Sequence, residues 1–241
     1  MNIFLYTMLF LIGVIVGNFW KNAIYRIPRN ISLKQKGISY IEPNNKSEKK
    51  SKLFYIILGG VLSVIFGKIL KININSLNFT SILVYIFTIL YITVLVIIAG
   101  IDQKNLRIEK GVLAGGIILS IFYIMYLYGI DPTSINMSII YLGMYIILLA
   151  IDTFIIKRYA ENSYTIGILM LFDIIFMFTG VDVFIYTLII TAIEILVYLL
   201  IEKIKQKKNG NRKIKLNDIP VGYFVSVSNI FAMIILSIIT K

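Results

Sequence analysis

Long apolar segments dominate this chain and decide the kind of fold it can adopt. Eight of them cover residues 3–25, 53–70, 78–101, 112–130, 136–156, 164–180, 183–201 and 221–240. Hydrophobic residues make up 59% of the 241 positions, more than a soluble domain of this length buries. Most segments approach the ~20 residues that a helix needs to cross a bilayer. The chain is therefore predicted to be an all-α, polytopic membrane protein with about eight transmembrane helices.

The basic residues alternate along the chain in a way that predicts its orientation. Of the 24 Lys and Arg residues, 20 lie in the connections after the first, third, fifth and seventh segments. The positive-inside rule places those connections in the cytoplasm and both termini outside a cytoplasmic membrane. The two longest, residues 26–52 and 202–218, are predicted cytoplasmic loops of a single membrane domain covering residues 1–241. This alternation explains the net charge of +12 beside a lipid bilayer, without a nucleic-acid partner.

Two local features concern helix packing and helix ends. Gly13 and Gly17 have the G-x-x-x-G spacing that permits close approach of a second helix, so we predict a packing role for them. The sixth and seventh apolar segments are short, and the boundary between them is predicted at residues 179–182.

The chain contains no His and no Cys, which narrows the chemistry open to it. Ser-His and Cys-His nucleophiles, His- or Cys-ligated metals and disulfides are excluded. We therefore predict no metal and no other cofactor. Carboxyl groups are the candidates for any hydrolytic reaction.

Acids inside membrane segments are costly and are functional candidates by default. Five lie within or at the ends of the apolar segments: Asp102, Asp152, Asp173, Asp182 and Glu194. Asp102 closes the third segment at its cytoplasmic end; Asp152 and Asp173 lie about 8 and 13 Å from the same face, and Asp182 about 27 Å away. Two carboxyls at similar depth can share a proton, so that one activates water while the other polarises a peptide carbonyl. Asp102 with Asp152 or Asp173 is the predicted pair, although each inner acid alone also fits a neutral or paired group facing the bundle.

Three stretches resemble the signature motifs of the prepilin leader peptidases. Residues 17–29, GNFWKNAIYRIPR, resemble the N-terminal signature of that family. Asp102-x-Lys104-x-x-x-Ile108 resembles its first catalytic aspartate motif, with Glu109 where proline is usual. Residues 219–224, IPVGYF, resemble a segment of its last helix. The three stretches occur in the family's order and span nearly the whole chain.

The resemblance implies a membrane aspartic endopeptidase that removes the basic leader of pilin-like precursors, with Asp102 as one catalytic acid. The family's second aspartate lies in a G-x-G-D motif, and an ungapped comparison places Gly167 and Ile168 on its Gly-Asp pair. Asp173 first and Asp152 second are then the candidate partners of Asp102.

Two other functions are compatible with the same residues. One is a non-catalytic family member that binds such precursors or assembles with a pilus or secretion machine. The other is a proton- or cation-coupled transporter that uses the buried acids, although no inverted repeat or paired helix interruption favours it.

Overall fold

The computed structural model describes residues 2–29, 46–72, 78–130, 150, 154, 163–209 and 219–239, and every regular element in those ranges is helical. The helices are α1 (Asn2–Arg26) with a 3-10 turn (Ile27–Arg29), α2 (Lys46–Ile69), α3 (Phe79–Asn105), α4 (Lys110–Ile130), α5 (Ser163–Asn209) and α6 (Val221–Ile239). Each α-helix contains a stretch long and apolar enough to cross a membrane. The prediction of an all-α, multi-pass membrane protein is confirmed. The predicted segment 136–156 lies almost wholly outside the described residues.

Two helices end on left-handed residues that are not glycine. Lys71, with φ of 52°, follows α2, and the Ile72 N–H donates to the Gly67 carbonyl at 3.1 Å, as in a Schellman motif. Leu106, with φ of 50°, ends α3, and its N–H donates to the Asp102 carbonyl at 2.9 Å. These caps stop each helix at a definite residue and bond carbonyls that would otherwise lack a donor.

Contacts between helices group into two compact units, Met1–Thr93 and Val94–Lys241. In the first unit, the backbones of α1 and α2 touch. A Cβ atom on Gly13 would overlap the Gly59 carbonyl oxygen, one on Gly59 would overlap that of Gly13, and one on Gly17 would overlap that of Tyr55. The predicted packing role of the G-x-x-x-G pair is therefore confirmed.

Side-chain hydrogen bonds add to this packing in the first unit. The buried Ser63 hydroxyl donates to the Leu9 carbonyl at 2.5 Å and lies 2.5 Å from the Tyr85 hydroxyl. Because the Ser63 proton goes to the carbonyl, the Tyr85 O–H is the donor to Ser63. Trp20, almost fully buried, donates through Nε1 to the Thr93 hydroxyl at 2.9 Å. Polar groups of α1, α2 and α3 thus satisfy one another, as a lipid environment demands.

In the second unit, α5 reverses direction at Gly180. This residue has φ of 78° and ψ of −179°, a conformation open to glycine and rarely to other residues. The Phe184 ring lies 5.5 Å from the Phe176 ring and 6.1 Å from the Phe172 ring. In a straight helix these pairs would lie about 12 and 18 Å apart along the axis. The predicted boundary at residues 179–182 is therefore confirmed.

The two halves of α5 pack on different helices. Residues 163–179 run parallel to α4, where the Phe178 ring stacks on the Tyr123 ring at 4.3 Å. Residues 181–209 run antiparallel to α6, where the Tyr198 ring lies 5.4 Å from the Phe224 ring. The first turn of α5 and the region around Tyr198 consequently both lie near the beginning of α6.

Two predicted loops begin or end inside helices. Residues 46–52 belong to α2 and residues 202–209 to α5, so the predicted loops 26–52 and 202–218 are shorter than the polarity of the sequence indicated. Lys and Glu are good helix formers, and a helix continues past its apolar stretch while such residues follow. Lys205 also pairs with Glu202 at 2.6 Å, one turn apart on α5.

Candidate functional site

Asp102 occupies the last turn of α3, and its side chain is 0% exposed. Its carboxyl group points at the beginning of α6, a helix that starts more than a hundred residues later. Oδ2 accepts the Tyr223 N–H at 2.9 Å, and the Gly222 N–H lies beside the same carboxyl. These are the second and third residues of α6, the positions that an N-cap side chain normally serves.

The residue before α6 explains why a distant acid takes this role. The carbonyl of Pro220 accepts the first helical bond, from the Phe224 N–H at 3.3 Å, so Pro220 is the N-cap. Proline has no side-chain oxygen and cannot bond the first N–H groups of its own helix. Asp102 supplies the missing acceptor, and the positive end of the α6 dipole favours an acidic group there.

Tyr164, in the first turn of α5, completes the cap. Its hydroxyl accepts the Val221 N–H at 3.0 Å and lies 3.1 Å from Asp102 Oδ2 and 3.3 Å from the Ile219 carbonyl oxygen. The hydroxyl has one proton, which it donates to either oxygen. The beginnings of α5 and α6 are therefore joined to the end of α3 by one hydrogen-bonded group, which we call the Asp102 cap: Asp102, Tyr164 and the first N–H groups of α6.

Ile108 and two glycines pack tightly around this cap. A Cβ atom on Gly222 would lie 3.1 Å from both Asp102 Oδ2 and Ile108 Cδ1, and one on Gly167 would lie 3.0 Å from Ile108 Cβ. Ile108 itself is nearly buried, in the short connection between α3 and α4. Ile108 and the first turn of α6 thus pack against Asp102, which the described residues bury fully.

One oxygen of the cap is left over. Asp102 Oδ1 is buried and has no hydrogen-bond partner among the residues that the structure describes. The hydroxyl of Ser226, one turn after Gly222 on α6, is likewise buried without a hydrogen-bond partner among the described residues. A buried acceptor without a partner is expensive, which marks this side of the cap as a place for a further donor.

The predicted partner Asp173 lies deeper than Asp102. It is buried on α5, nine residues or about 13 Å of helical rise after Tyr164. Its neighbour Ile174 lies level with Gly116 of α4, and Gly116 in turn lies level with Val94, eight residues before Asp102 on α3. Both routes place Asp173 more than two turns from the cap, too far for two carboxyls to share a proton.

Of the other residues named from the sequence, the structure describes Ile168 and Glu109. Asp152 lies outside the described residues. Ile168 lies one turn after Tyr164 on the same face of α5 and is partly buried. On that face an aspartate would be directed toward the cap, and isoleucine offers no oxygen there. Glu109 pairs with Arg107 at 2.6 Å.

One sequence feature, the proline before α6, predicts part of this site. A proline at the N-cap position leaves the first N–H groups of a buried helix without a local acceptor, so Ile219-Pro220 predicts a capping group from elsewhere. Tyr164 was not among the residues predicted for this site, although its hydroxyl accepts the Val221 N–H and donates to Asp102 or to the Ile219 carbonyl.

Residues 17–29 belong to the first unit. Arg29 lies with its guanidinium carbon 3.9 Å from the Tyr25 ring centre, and it donates to the Tyr25 carbonyl at 3.0 Å. This arrangement caps the end of α1 with a positive charge, which the negative end of the helix dipole favours.

The described part of the chain contains no group of three or more acidic residues that could hold a metal ion. Comparison of the chain with protein-family models, with curated proteins and with solved structures finds no match.

Proposed function

We propose that this chain is a divergent membrane protein of the prepilin leader peptidase type that binds pilin-like precursors without cleaving them. The main support for the proposal is that two of the stretches that resemble the family's motifs lie next to each other in the structure. Asp102 and Ile108 of the aspartate motif both contact Gly222 of the last-helix segment. Stretches 120 residues apart in the sequence thus form one site, as motifs of a common function would.

The chemistry of the cap favours binding over cleavage. Asp102 Oδ2 is occupied by N–H groups of α6, which a water-activating carboxyl could not spare without loosening that helix. The face of α5 directed at the cap carries Ile168, and Asp173 lies about 13 Å deeper. Oδ1, by contrast, has no hydrogen-bond donor among the described residues. A main-chain N–H of an extended precursor segment would supply one.

A peptidase is the second candidate, and the same oxygen favours it. A second carboxyl placed beside Oδ1 would share a proton with Asp102 and complete an aspartic dyad. Asp152, at a predicted depth of about 8 Å, is the acid that could supply it.

The proposed setting is a cytoplasmic membrane crossed by eight helices, with the N-terminus outside. The alternation of basic residues supports this orientation. The reversal at Gly180 supports two spans within α5. The Asp102 cap would then lie at the cytoplasmic face, where the basic leader of a precursor begins.

The test is a binding and cleavage assay with the full chain in proteoliposomes and a pilin-like precursor from the same cell. We expect the precursor to crosslink to the wild-type protein and to remain uncleaved. Asp102→Asn keeps one acceptor oxygen for the cap, and should weaken crosslinking at least fivefold. Asp182→Asn, an exposed acid at the α5 reversal, is the matched control and should change nothing.

Other results would replace the proposal. Cleavage that is lost in both Asp102→Asn and Asp152→Asn would make the chain a peptidase. Cleavage that appears only in Ile168→Asp would support binding by a chain that lacks its second acid. Neither crosslinking nor cleavage would remove both functions.

A further inference from the structure

A second polar group lies between α6 and the second half of α5, away from the Asp102 cap. The Ser228 hydroxyl donates to Glu194 Oε2 at 3.0 Å, and Asn229 Nδ2 donates to the Thr187 hydroxyl at 2.9 Å. Ser228 and Asn229 are fully buried. Ser228 is seven residues into α6, so this group lies about 10 Å along the helix from its beginning, within the apolar span.

Thr191 differs from five other threonines inside the described helices. Those five donate their hydroxyl to the carbonyl four residues earlier, at 2.7 to 2.8 Å: Thr7, Thr88, Thr93, Thr179 and Thr187. Thr191 is 6% exposed, and its Oγ1 has no partner among the described residues.

The position of Thr191 along α5 places its side chain on the same helix face as Glu194. It lies four residues after Thr187 and three before Glu194, and both of those side chains bond residues of α6. Residues at this spacing share one helix face. Thr191 therefore faces α6 between the two polar contacts, beside the carboxyl of Glu194.

The charge of Glu194 is not balanced within the described residues, where it forms no ion pair. An acid inside a membrane is expensive unless a cation or a donor network compensates it. One serine O–H is a weak compensation. Carboxyl and hydroxyl oxygens together are the hard ligands that alkali and alkaline-earth cations accept. With a single acid present, a monovalent cation balances the charge.

We propose that Glu194, Thr191 and Ser228 form a membrane-embedded site for one Na⁺ ion. The Glu194 carboxylate supplies the charge, and the lone pairs of the Thr191 and Ser228 hydroxyls supply two further oxygens. The Ser228 proton stays on its bond to Glu194. The site is independent of precursor binding, because it uses no residue of the Asp102 cap.

The test is thermal unfolding of the full chain in detergent, with NaCl compared with choline chloride at equal ionic strength. A bound ion stabilises the folded state, so NaCl should raise the midpoint by several degrees more than choline chloride does. Glu194→Gln should lose this difference. Thr191→Val should shift the Na⁺ concentration for half of the effect at least tenfold. Thr179→Val, whose hydroxyl already bonds its own helix, is the matched control and should leave it unchanged.

Labelling with dicyclohexylcarbodiimide, which modifies carboxyls in apolar surroundings, locates the effect. NaCl should protect Glu194 from labelling, whereas choline chloride should not, and the buried Asp173 in the same sample should show no Na⁺ dependence. Equal midpoints in the two salts would overturn the site. A Na⁺ effect that persists in Glu194→Gln, or that is unaltered in Thr191→Val, would assign the ion to other residues.

Discussion

Asp102 and Glu194 both face α6, but different groups of α6 bond their carboxyls. Asp102 meets the beginning of α6, where N–H groups without helical acceptors point outward and bond its carboxyl. Glu194 meets α6 at Ser228, where every backbone N–H is already used within the helix, and only a hydroxyl is available. The backbone thus compensates one acid, whereas the other depends on side chains and, in our proposal, on an ion.

The position of an acid along its partner helix therefore decides its role. An acid at a helix beginning replaces a missing cap and stabilises the fold, because several orphan donors share it. An acid in the middle of a helix pair contributes one interhelical hydrogen bond, a modest amount in a membrane. Asp102 should therefore matter most for stability, and Glu194 and its partners least.

Removal of the capping acid should have the largest effect. Asp102→Ala leaves the Tyr223 N–H without its acceptor and the Gly222 N–H without the carboxyl beside it, at about 1–3 kcal/mol for each buried group. We expect the free energy of unfolding to fall by about 3 kcal/mol or more. Unfolding in mixed micelles measures it, with Asp182→Ala as the exposed control. Equal losses in the two variants would show that Asp102 does not hold α6.

Crowding the cap should have the next largest effect. Gly222→Ala puts a methyl group 3.1 Å from both Asp102 Oδ2 and Ile108 Cδ1, so one of them must move. We expect a loss of about 1–3 kcal/mol in the free energy of unfolding, measured in the same way. Gly115→Ala, on α4 with no atom within 4 Å, is the control and should be neutral or stabilising. A neutral Gly222→Ala would mean that the cap is loosely packed.

Loss of the tyrosine hydroxyl should cost less, because Asp102 remains. Tyr164→Phe removes one of two acceptors of the Val221 N–H, the other being the Ile219 carbonyl at 2.9 Å, and one donor to the carboxyl. We expect a loss of about 1–2 kcal/mol in thermal or micelle unfolding. Tyr186→Phe, an exposed tyrosine on the second half of α5, should change stability little. If both variants unfold alike, the hydroxyl of Tyr164 adds nothing to the cap.

The hydrogen bond to Glu194 should give the smallest effect. Ser228→Ala removes it and should lower the free energy of unfolding by about 0.6 kcal/mol in choline chloride. Ser237→Ala, which removes a bond to the carbonyl of Ile234 in its own helix, provides the comparison. A loss as large as that of Asp102→Ala would contradict the contrast between the two acids.

Much of the architecture could be predicted because few backbone structures satisfy all of their own hydrogen bonds in lipid. An apolar run of about 20 residues must be a helix in a bilayer, so the all-helical, multi-pass fold followed from length and hydropathy. Gly13 and Gly17 predicted close packing because only glycine removes the Cβ that would block it. The ends of helices were harder, since Lys and Glu prolong α2 and α5 beyond their apolar parts.

The candidate site could be predicted only in its parts. Asp102 stood out because an acid that ends an apolar segment is costly, and the structure shows it fully buried. Its proximity to Gly222 could not be read from residues 120 positions apart. Depth along a segment did predict that Asp173 lies deeper than Asp102, although not which groups surround either acid.

The sequence by itself determined that this protein consists of membrane helices, where α5 is interrupted, and which few acids the helices carry, because those properties depend on neighbours in the chain. Only the tertiary structure decided what each acid meets. α6 begins on a proline that cannot cap its own N–H groups, and the fold brings Asp102 and Tyr164 there to bond them. Burial without water makes such pairing obligatory, but the choice of partner depends on how the helices pack.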